Sequence, residues 1–317
     1  MKETNMNEKR PLLTVVVPCY QNEKTVERTD RSVQAQTVAD WELIAVDDGS
    51  ADDTLAGLLR LAGNEPRMHV IHQENGGVSA ARNAGMAQAK GQWLFFVDAD
   101  DHLTADAFEK LLAAADDGVD IVCAAYQVHY ADSDLLGQKY SCPDGNRRQI
   151  LESLIRGDSA LNSPCARLYR TAMIRENGVA FPAGVKVGED VLFNLDAFMT
   201  ARAWRMIEDV IYIYEFGGDS AMARAKSDRY ARTLPMIEGI GRFIERHQLN
   251  TALFRAHIDI YLRTLRADRS RLCAACAMNR KMVAAITKNV EFGALGAKEK
   301  LYYLALKLLP ASSCLIP

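Results

Sequence analysis

Trp93-Leu94-Phe95-Phe96-Val97 runs without a break into Asp98-Ala99-Asp100-Asp101. A short apolar run of this kind reads as a buried strand, and a buried strand delivers whatever follows it to one fixed place. Three acids within four residues repel one another, so at a strand end they suit a divalent cation better than each other's company. A plainer reading is a polar strand exit with an Asp capping the next helix. This stretch alone leaves both open.

A second stretch has the same form. Glu42-Leu43-Ile44-Ala45-Val46 ends in Asp47-Asp48-Gly49-Ser50, and Ala51-Asp52-Asp53-Thr54 then opens a helical pattern. The first strand, Leu13-Thr14-Val15-Val16-Val17, ends in Pro18-Cys19-Tyr20-Gln21-Asn22-Glu23, which brings polar groups and an aromatic ring to the strand end. In open α/β sheets ligands sit outside the carboxyl ends of the strands, so these three strand ends should face one crevice. Strands alternate with helical patterns up to about Gln127, the helices being expected at Thr25 to Gln36, Asp53 to Leu61, Gly77 to Lys90 and Ala105 to Ala115. That order predicts a mostly parallel sheet covered on both faces. Ser133 to Arg147 turns polar, with Gly137, Pro143 and Gly145, and reads as a loop of the kind that carries specificity. Beyond Asp228 the pattern is helical almost throughout.

Composition agrees with a soluble enzyme. At 317 residues and 49% hydrophobic, the chain can bury one large domain plus an appendage. Seven scattered Cys, no leader-like start and no apolar run of spanning length point to reduced thiols in a cytoplasmic protein. Cys19 and Cys123 read as small hydrophobes. Cys273 and Cys276 form a C-x-x-C without a second pair, which favours packing over zinc or redox use. The net charge of -3 is unevenly spread, because residues 241–317 hold 13 Lys and Arg against 5 Asp and Glu. Within that basic tail, Lys298 to Leu309 mixes apolar bulk with Lys and stops at Pro310. It is shorter than the ~20 apolar residues a span needs. It reads equally as a helix lying on an anionic inner leaflet and as one packed on its own domain with a solvated basic face. No nucleic-acid partner is expected.

The order VVVPCYQNE, WELIAVDDGSADDT and NGGVSAARNAGMAQAKGQWLFFVDADD resembles the N-terminal half of family 2 glycosyltransferases. The resemblance is close over residues 12–103 and looser to about 222. It implies a GT-A fold, an α/β Rossmann-like domain with a mostly parallel central sheet, over residues 1–227, with a donor half at about 12–127 and an acceptor half at about 128–227. A helical region would follow over 228–317. It implies inverting transfer of a sugar from a nucleotide-diphosphate donor, a UDP-sugar being expected, to a glycan or lipid-linked acceptor in surface-glycan synthesis. It further implies that Asp100 is the main ligand of Mn²⁺ or Mg²⁺. Asp98 would contact the donor ribose and metal region, and Asp101 would be a further ligand or a positioning group. Asp48 would meet the nucleobase, with Pro18, Tyr20 and Glu23 as neighbours and Asp47 in a lesser role. An Asp accepts the N3–H of uracil, although Asp47 and Asp48 could instead shape the turn and cap the next helix.

Gly76-Gly77-Val78-Ser79-Ala80-Ala81-Arg82-Asn83 resembles the family's loop-to-helix segment, where backbone N–H groups and Arg82 suit the phosphate or nucleoside end of the donor, Arg82 reading otherwise as an ordinary surface ion-pair partner. Gly188-Glu189-Asp190-Val191-Leu192-Phe193 matches the segment that carries the base, which gives Asp190 that role with Glu189 as neighbour or substitute. Both acids would also suit a helix start on dipole grounds. One departure stands out: Tyr212-Ile213-Tyr214 is followed by Glu215, where many relatives carry Arg, with Ser220 further on and Arg224 and Lys226 as substitutes. His102 is a candidate extra metal or phosphate contact, or a structural hydrogen-bonder.

Rival classes fare worse. A dehydrogenase would need G-x-G-x-x-G after the first strand, where Pro18-Cys19-Tyr20-Gln21-Asn22 stands. A processive membrane synthase would need spanning helices and Gln-x-x-Arg-Trp. A nucleotidyltransferase would need a Gly-rich basic loop near the first strand. A nucleotide-sugar-binding scaffold with a decayed site is the non-enzyme alternative, and the acids present at all three positions argue against it.

Overall fold

A computed structural model describes residues 10–130, 135–142, 145–156, 159–217 and 229–247, with a few positions between 292 and 304. The chain forms two units. The first comprises Met1–Cys142, Cys165–Ala180 and Thr200–Gly217, and the second Pro143–Pro164, Phe181–Met199 and Gly218–Pro317.

The first unit is built on β1 (Leu13–Cys19), β2 (Trp41–Asp47), β3 (Met68–His72) and β4 (Trp93–Phe96), with α1 (Val26–Gln34), α2 (Thr54–Ala62) and α3 (Val78–Gln88) as crossovers. Every residue of β1, β2 and β4 is buried. A strand covered on both faces has no use for alternation, which is why these sequences are continuously apolar. The four strands pair in parallel in the order β3-β2-β1-β4. Their register aligns Cys19 with Asp47 and Asp47 with His72, so the strand ends finish level. Helix α3 lies against β1 because Gly85 presents no side chain, and a Cβ there would run into Val16.

Past β4 the sheet becomes mixed. It continues through β8 (Arg167–Arg170), β6 (Ile121–Tyr130), β9 (Trp204–Phe216) and β5 (His102–Leu103). β8 is antiparallel to both its neighbours, whereas β6 and β9 run parallel. Helix α4 (Ala107–Ala113) puts Phe108 edge-on to Phe95 with ring centroids 5.8 Å apart, and α7 (Thr171–Glu176) follows β8. Three of the four early helices fall within the spans expected from sequence, and α2 runs one residue beyond Leu61, to Ala62. The stretch 133–147 corrects the expectation of a loop, since β7 (Leu135–Tyr140) pairs antiparallel with β6. Its polar letters are outweighed by cross-strand partners: Tyr140 stacks on Tyr126 at 4.9 Å, and Gly137 leaves room for the Tyr130 ring.

The second unit contains α5 (Arg147–Arg156), α6 (Ser159–Asn162), α8 (Glu189–Thr200) and α9 (Arg229–Arg246). Phe193 of α8 stacks on Phe181 at 4.0 Å, and the Asn194 amide donates to the carbonyls of Leu161 and Asn162 at 3.1 and 2.8 Å. Ser220, Arg224, Lys226, the Cys273 and Cys276 pair and most of residues 298–309 lie outside the described residues. Among the described residues no helix is long and apolar enough to cross a membrane.

Candidate active site

The turn after β4 is held from two sides. Asp101 N–H donates to the Asp98 carbonyl at 3.0 Å and closes the turn. From α1, Arg28 donates to the Asp100 carbonyl, and the Thr29 hydroxyl lies 3.0 and 2.7 Å from the carbonyls of Ala99 and Asp101. From β9, the Tyr212 hydroxyl donates to Asp101 Oδ2 at 2.5 Å and accepts the Asp98 N–H at 3.2 Å, while Glu215 N–H donates to Asp101 Oδ1 at 2.8 Å. Asp101 is 0% exposed, with both oxygens turned onto β9.

Asp98 and Asp100 keep contact with solvent. The Asp98 side chain is 31% exposed, and its Oδ1 accepts from the Arg82 guanidinium at 2.8 Å. Burial, followed by the charge of Asp98, pushes the Asp100 carboxyl above the usual range, and burial with Asp98 and Asp100 does the same more strongly to Asp101. A crowded acid turn of this kind favours any cation that relieves its repulsion. Mg²⁺ and Mn²⁺ take carboxylate oxygens, and Mg²⁺ in particular uses one or two of them, completing its shell with water and substrate phosphate. Asp98 and Asp100 fit that donor set. Among the described residues no group of three or more His, Cys, Asp or Glu forms a ready-made metal cage.

The loops after β1 and β2 are laced together. Gln21 N–H donates to Ser50 Oγ at 3.0 Å and Asn22 N–H to Thr54 Oγ1 at 2.7 Å. Glu23 N–H donates to Asp52 while Asp53 N–H donates back to Glu23, both at 3.3 Å. Pro18 is buried, and the Tyr20 ring stands 47% exposed beside this lacing. Asp47 is 0% exposed and pairs its Oδ2 with His72 Nδ1 on β3 at 2.7 Å. Asp48 holds the approach to α3. Its Oδ1 accepts from Gln73 Nε2 at 2.7 Å and Gly76 N–H at 2.9 Å, and its Oδ2 accepts from Gly77 N–H at 2.8 Å. A carboxylate offers about four acceptor positions, so Asp48 retains about one, on Oδ2. Gly77 takes a φ of +85°, which a side chain would resist, and starts α3 one turn before the buried Arg82.

Glu215, the departure noted above, is a buried hub. Its Oε1 lies 3.2 Å from both Arg28 and His102 Nδ1, and its Oε2 lies 2.7 Å from His129 Nδ1. Burial holds the His102 imidazole below its usual range against the pull of Glu215. Thus His102 is turned to this hub. Arg28, Thr29 and His129 carry no motif that would have singled them out, since each joins the site through tertiary pairing alone. Glu189 and Asp190 open α8 in the second unit, both partly exposed, directly after Gly188 at φ +83°. The N–H groups of a helix's first turn favour acids at that position.

The profile of glycosyl transferase family 2 matches residues 14–178, more than half the chain. The chain belongs to this family. The acid turn, the Asp48 loop and Arg82 all stand inside the matched region. The transferase is 30% identical over 213 residues to the uncharacterized glycosyltransferase EpsJ of Bacillus subtilis, covering 64% of this chain and 61% of that one. It is 27% identical over 256 residues to the poly(ribitol-phosphate) β-N-acetylglucosaminyltransferase TarS of Staphylococcus aureus, covering 78% of this chain and 42% of TarS. The transferase thus spans less than two thirds of the length of either relative. The crystal structure of S. aureus TarS 1–349 in complex with UDP-GlcNAc superposes with a TM-score of 0.74 at 21% identity, over 95% of this chain and 89% of that one. At that identity the likeness shows the GT-A fold.

Proposed function

We propose that this transferase moves a sugar from a UDP-sugar to a glycan or lipid-linked acceptor in the assembly of a bacterial surface polysaccharide, by a single inverting displacement. The observation that carries the reading is the convergence on one sheet edge of a solvent-reaching acid pair, Asp98 and Asp100, an anchored cation, Arg82, and a carboxylate with one acceptor position left, Asp48. The donor nucleotide of the TarS neighbour and the surface-polymer relatives support the same choice.

The same reading assigns the roles. Asp48 Oδ2 accepts the N3–H of uracil, with Tyr20, Pro18 and Glu23 shaping the nucleoside rim and Asp47 bracing the strand end through His72. Asp98 and Asp100 hold Mn²⁺ or Mg²⁺, which when bound neutralises charge on the diphosphate leaving group. Arg82 orients Asp98 and offers its cationic charge to the diphosphate. Asp101 positions the turn from within, tied to Tyr212 and Glu215. Asp190, with Glu189 beside it, takes the proton of the attacking acceptor hydroxyl. The catalytic domain spans residues 1–227 and works at the cytoplasmic face of the membrane, where a basic C-terminal region would meet anionic lipid.

Calorimetric titration of UDP into the full chain, with and without Mn²⁺ and with GDP and ADP as controls, tests this reading. Metal-dependent binding of UDP alone is the expected result. Tight GDP binding or metal-independent binding would redirect the donor assignment, and no nucleotide binding at all would favour the decayed-scaffold alternative.

A further inference from the structure

The opposite, amino-terminal edge of the same sheet carries a second concentration of charge, of the other sign. An open cleft of about 620 Å³ lies where β1, β2 and β3 begin and α3 ends, entirely within the first unit. Arg10, Arg67, His69, Lys90 and Arg175 line it, against one carboxylate, Glu42.

Two of these cations are fixed in place. Arg67 grips Glu65 through two bonds of 2.8 and 2.7 Å, donates to the Ala39 carbonyl at 2.9 Å, and lies 3.6 Å over the Trp41 ring. Arg175 caps the end of α3, donating to the carbonyls of Met86, Ala87 and Ala89. The Glu42 carboxylate is buried and turned inward: its Oε1 accepts from the Thr14 hydroxyl and the Lys90 N–H, both at 2.6 Å. Arg10, His69 and Lys90 are exposed, and their side chains have no carboxylate partner among the described residues. The arrangement is two anchored guanidinium groups with two exposed cations and an imidazole around an open space. Guanidinium groups held by neighbours are organised in advance for planar oxyanions, and a mobile ammonium adds charge without fixing geometry.

We propose that this cleft binds a phosphate ester. Four permanent cations against the carboxylates of Glu42 and Glu65 leave a surplus of two charges, which a doubly charged phosphate monoester balances and a single carboxylate does not. The volume exceeds what phosphate alone needs and falls within the range of ordinary small-ligand sites, so the phosphate arrives on an organic body. A soluble phosphate monoester and a lipid headgroup that ends in a phosphate monoester share this chemistry. The cleft stands apart from the donor site, at the other end of the same strands.

The test uses ¹⁵N-labelled full-length protein titrated with inorganic pyrophosphate without divalent cation and followed at the backbone amides of His69, Lys90 and Gly91. These amides should shift saturably in the wild type, and Arg10→Gln combined with Lys90→Gln should weaken the apparent affinity about tenfold or more, with Lys110→Gln as an unchanged surface control. Both substituted side chains are exposed, so the fold persists, and an unchanged melting temperature verifies it. Equal titration by the double variant, or shifts confined to residues 76–98, would overturn the proposal. Sedimentation with vesicles containing phosphatidic acid, whose headgroup is a phosphate monoester, separates the two sources. Loss of vesicle binding in the double variant assigns the cleft to a lipid headgroup, and unchanged vesicle binding beside weakened pyrophosphate shifts assigns it to a soluble ester.

Discussion

The two edges of the parallel half-sheet carry opposite charge, and in each case the sign suits the helix ends beside it. At the carboxyl edge α3 begins, and its unpaired N–H groups favour negative charge nearby. There Asp48 binds the Gly76 and Gly77 amides, and Asp98 pairs with Arg82 one turn into the helix. At the amino edge α3 ends, and Arg175 covers its last carbonyls. One helix therefore sorts acids to one end of the strands and cations to the other. The difference lies in what remains unsatisfied: the carboxyl edge keeps crowded acids whose protonation is favoured, and the amino edge keeps cations without acid partners.

The comparison can be broken first at a residue on neither edge. Asp190→Asn at the head of α8 should leave UDP affinity nearly intact while turnover falls roughly 10²–10⁴-fold, the usual cost of losing a general base; preserved turnover would move the base elsewhere. Asp100→Ala, on the acid edge, should cost turnover roughly 10²–10³-fold and remove the Mn²⁺ dependence of UDP binding, together several kcal/mol. Unchanged turnover at saturating Mn²⁺ would remove Asp100 from the metal site.

Asp30 asks what happens to a carboxylate placed away from either edge. It sits on α1, nearly buried, with one oxygen bonded to Gln34 and the other without a partner, and burial pushes its pKa up to about 6. Because the folded value is the higher one, the folded state holds the proton that the unfolded chain releases. Stability therefore falls as pH rises from about 4 to 6 and stays lowered above that, by roughly 2–3 kcal/mol. Asp30→Asn should raise the melting temperature at pH 7.5, and the advantage should shrink towards pH 4; a constant offset across that range would contradict the assignment. The smallest effect is expected for Tyr212→Phe, which removes the hydroxyl shared by Asp101 and the Asp98 amide. Denaturant melts should show a loss of about 1–2 kcal/mol, the cost of an unmet buried acceptor.

Much of this was legible in the residue order because the fold's first half is local in character. Continuous apolar runs mark β1, β2 and β4, and clustered acids close β2 and β4. What stayed hidden depends on pairing over long stretches of chain. Nothing in the letters around Leu135 to Tyr140 announces a strand until Tyr126 is set beside Tyr140. Glu215 stood out only as a departure from the family pattern, and its role appears when Arg28, His102 and His129 meet it. Arg28 and Thr29 look like ordinary helix residues, yet they grip the acid turn from behind. Asp101 has the same letter as Asp98 and Asp100, and only burial separates it from its two solvent-reaching neighbours.

The bond from Glu215 N–H to Asp101 spans 114 positions along the chain. Contacts that distant form slowly, because a long loop must close before they reward it. During synthesis the apolar strands β1 to β4 can assemble as soon as they emerge, but the acid turn lacks its β9 partners until residues past 215 have left the ribosome. The nascent chain therefore acquires its scaffold well before its acid turn is set, which withholds an organised turn from any prematurely ended chain.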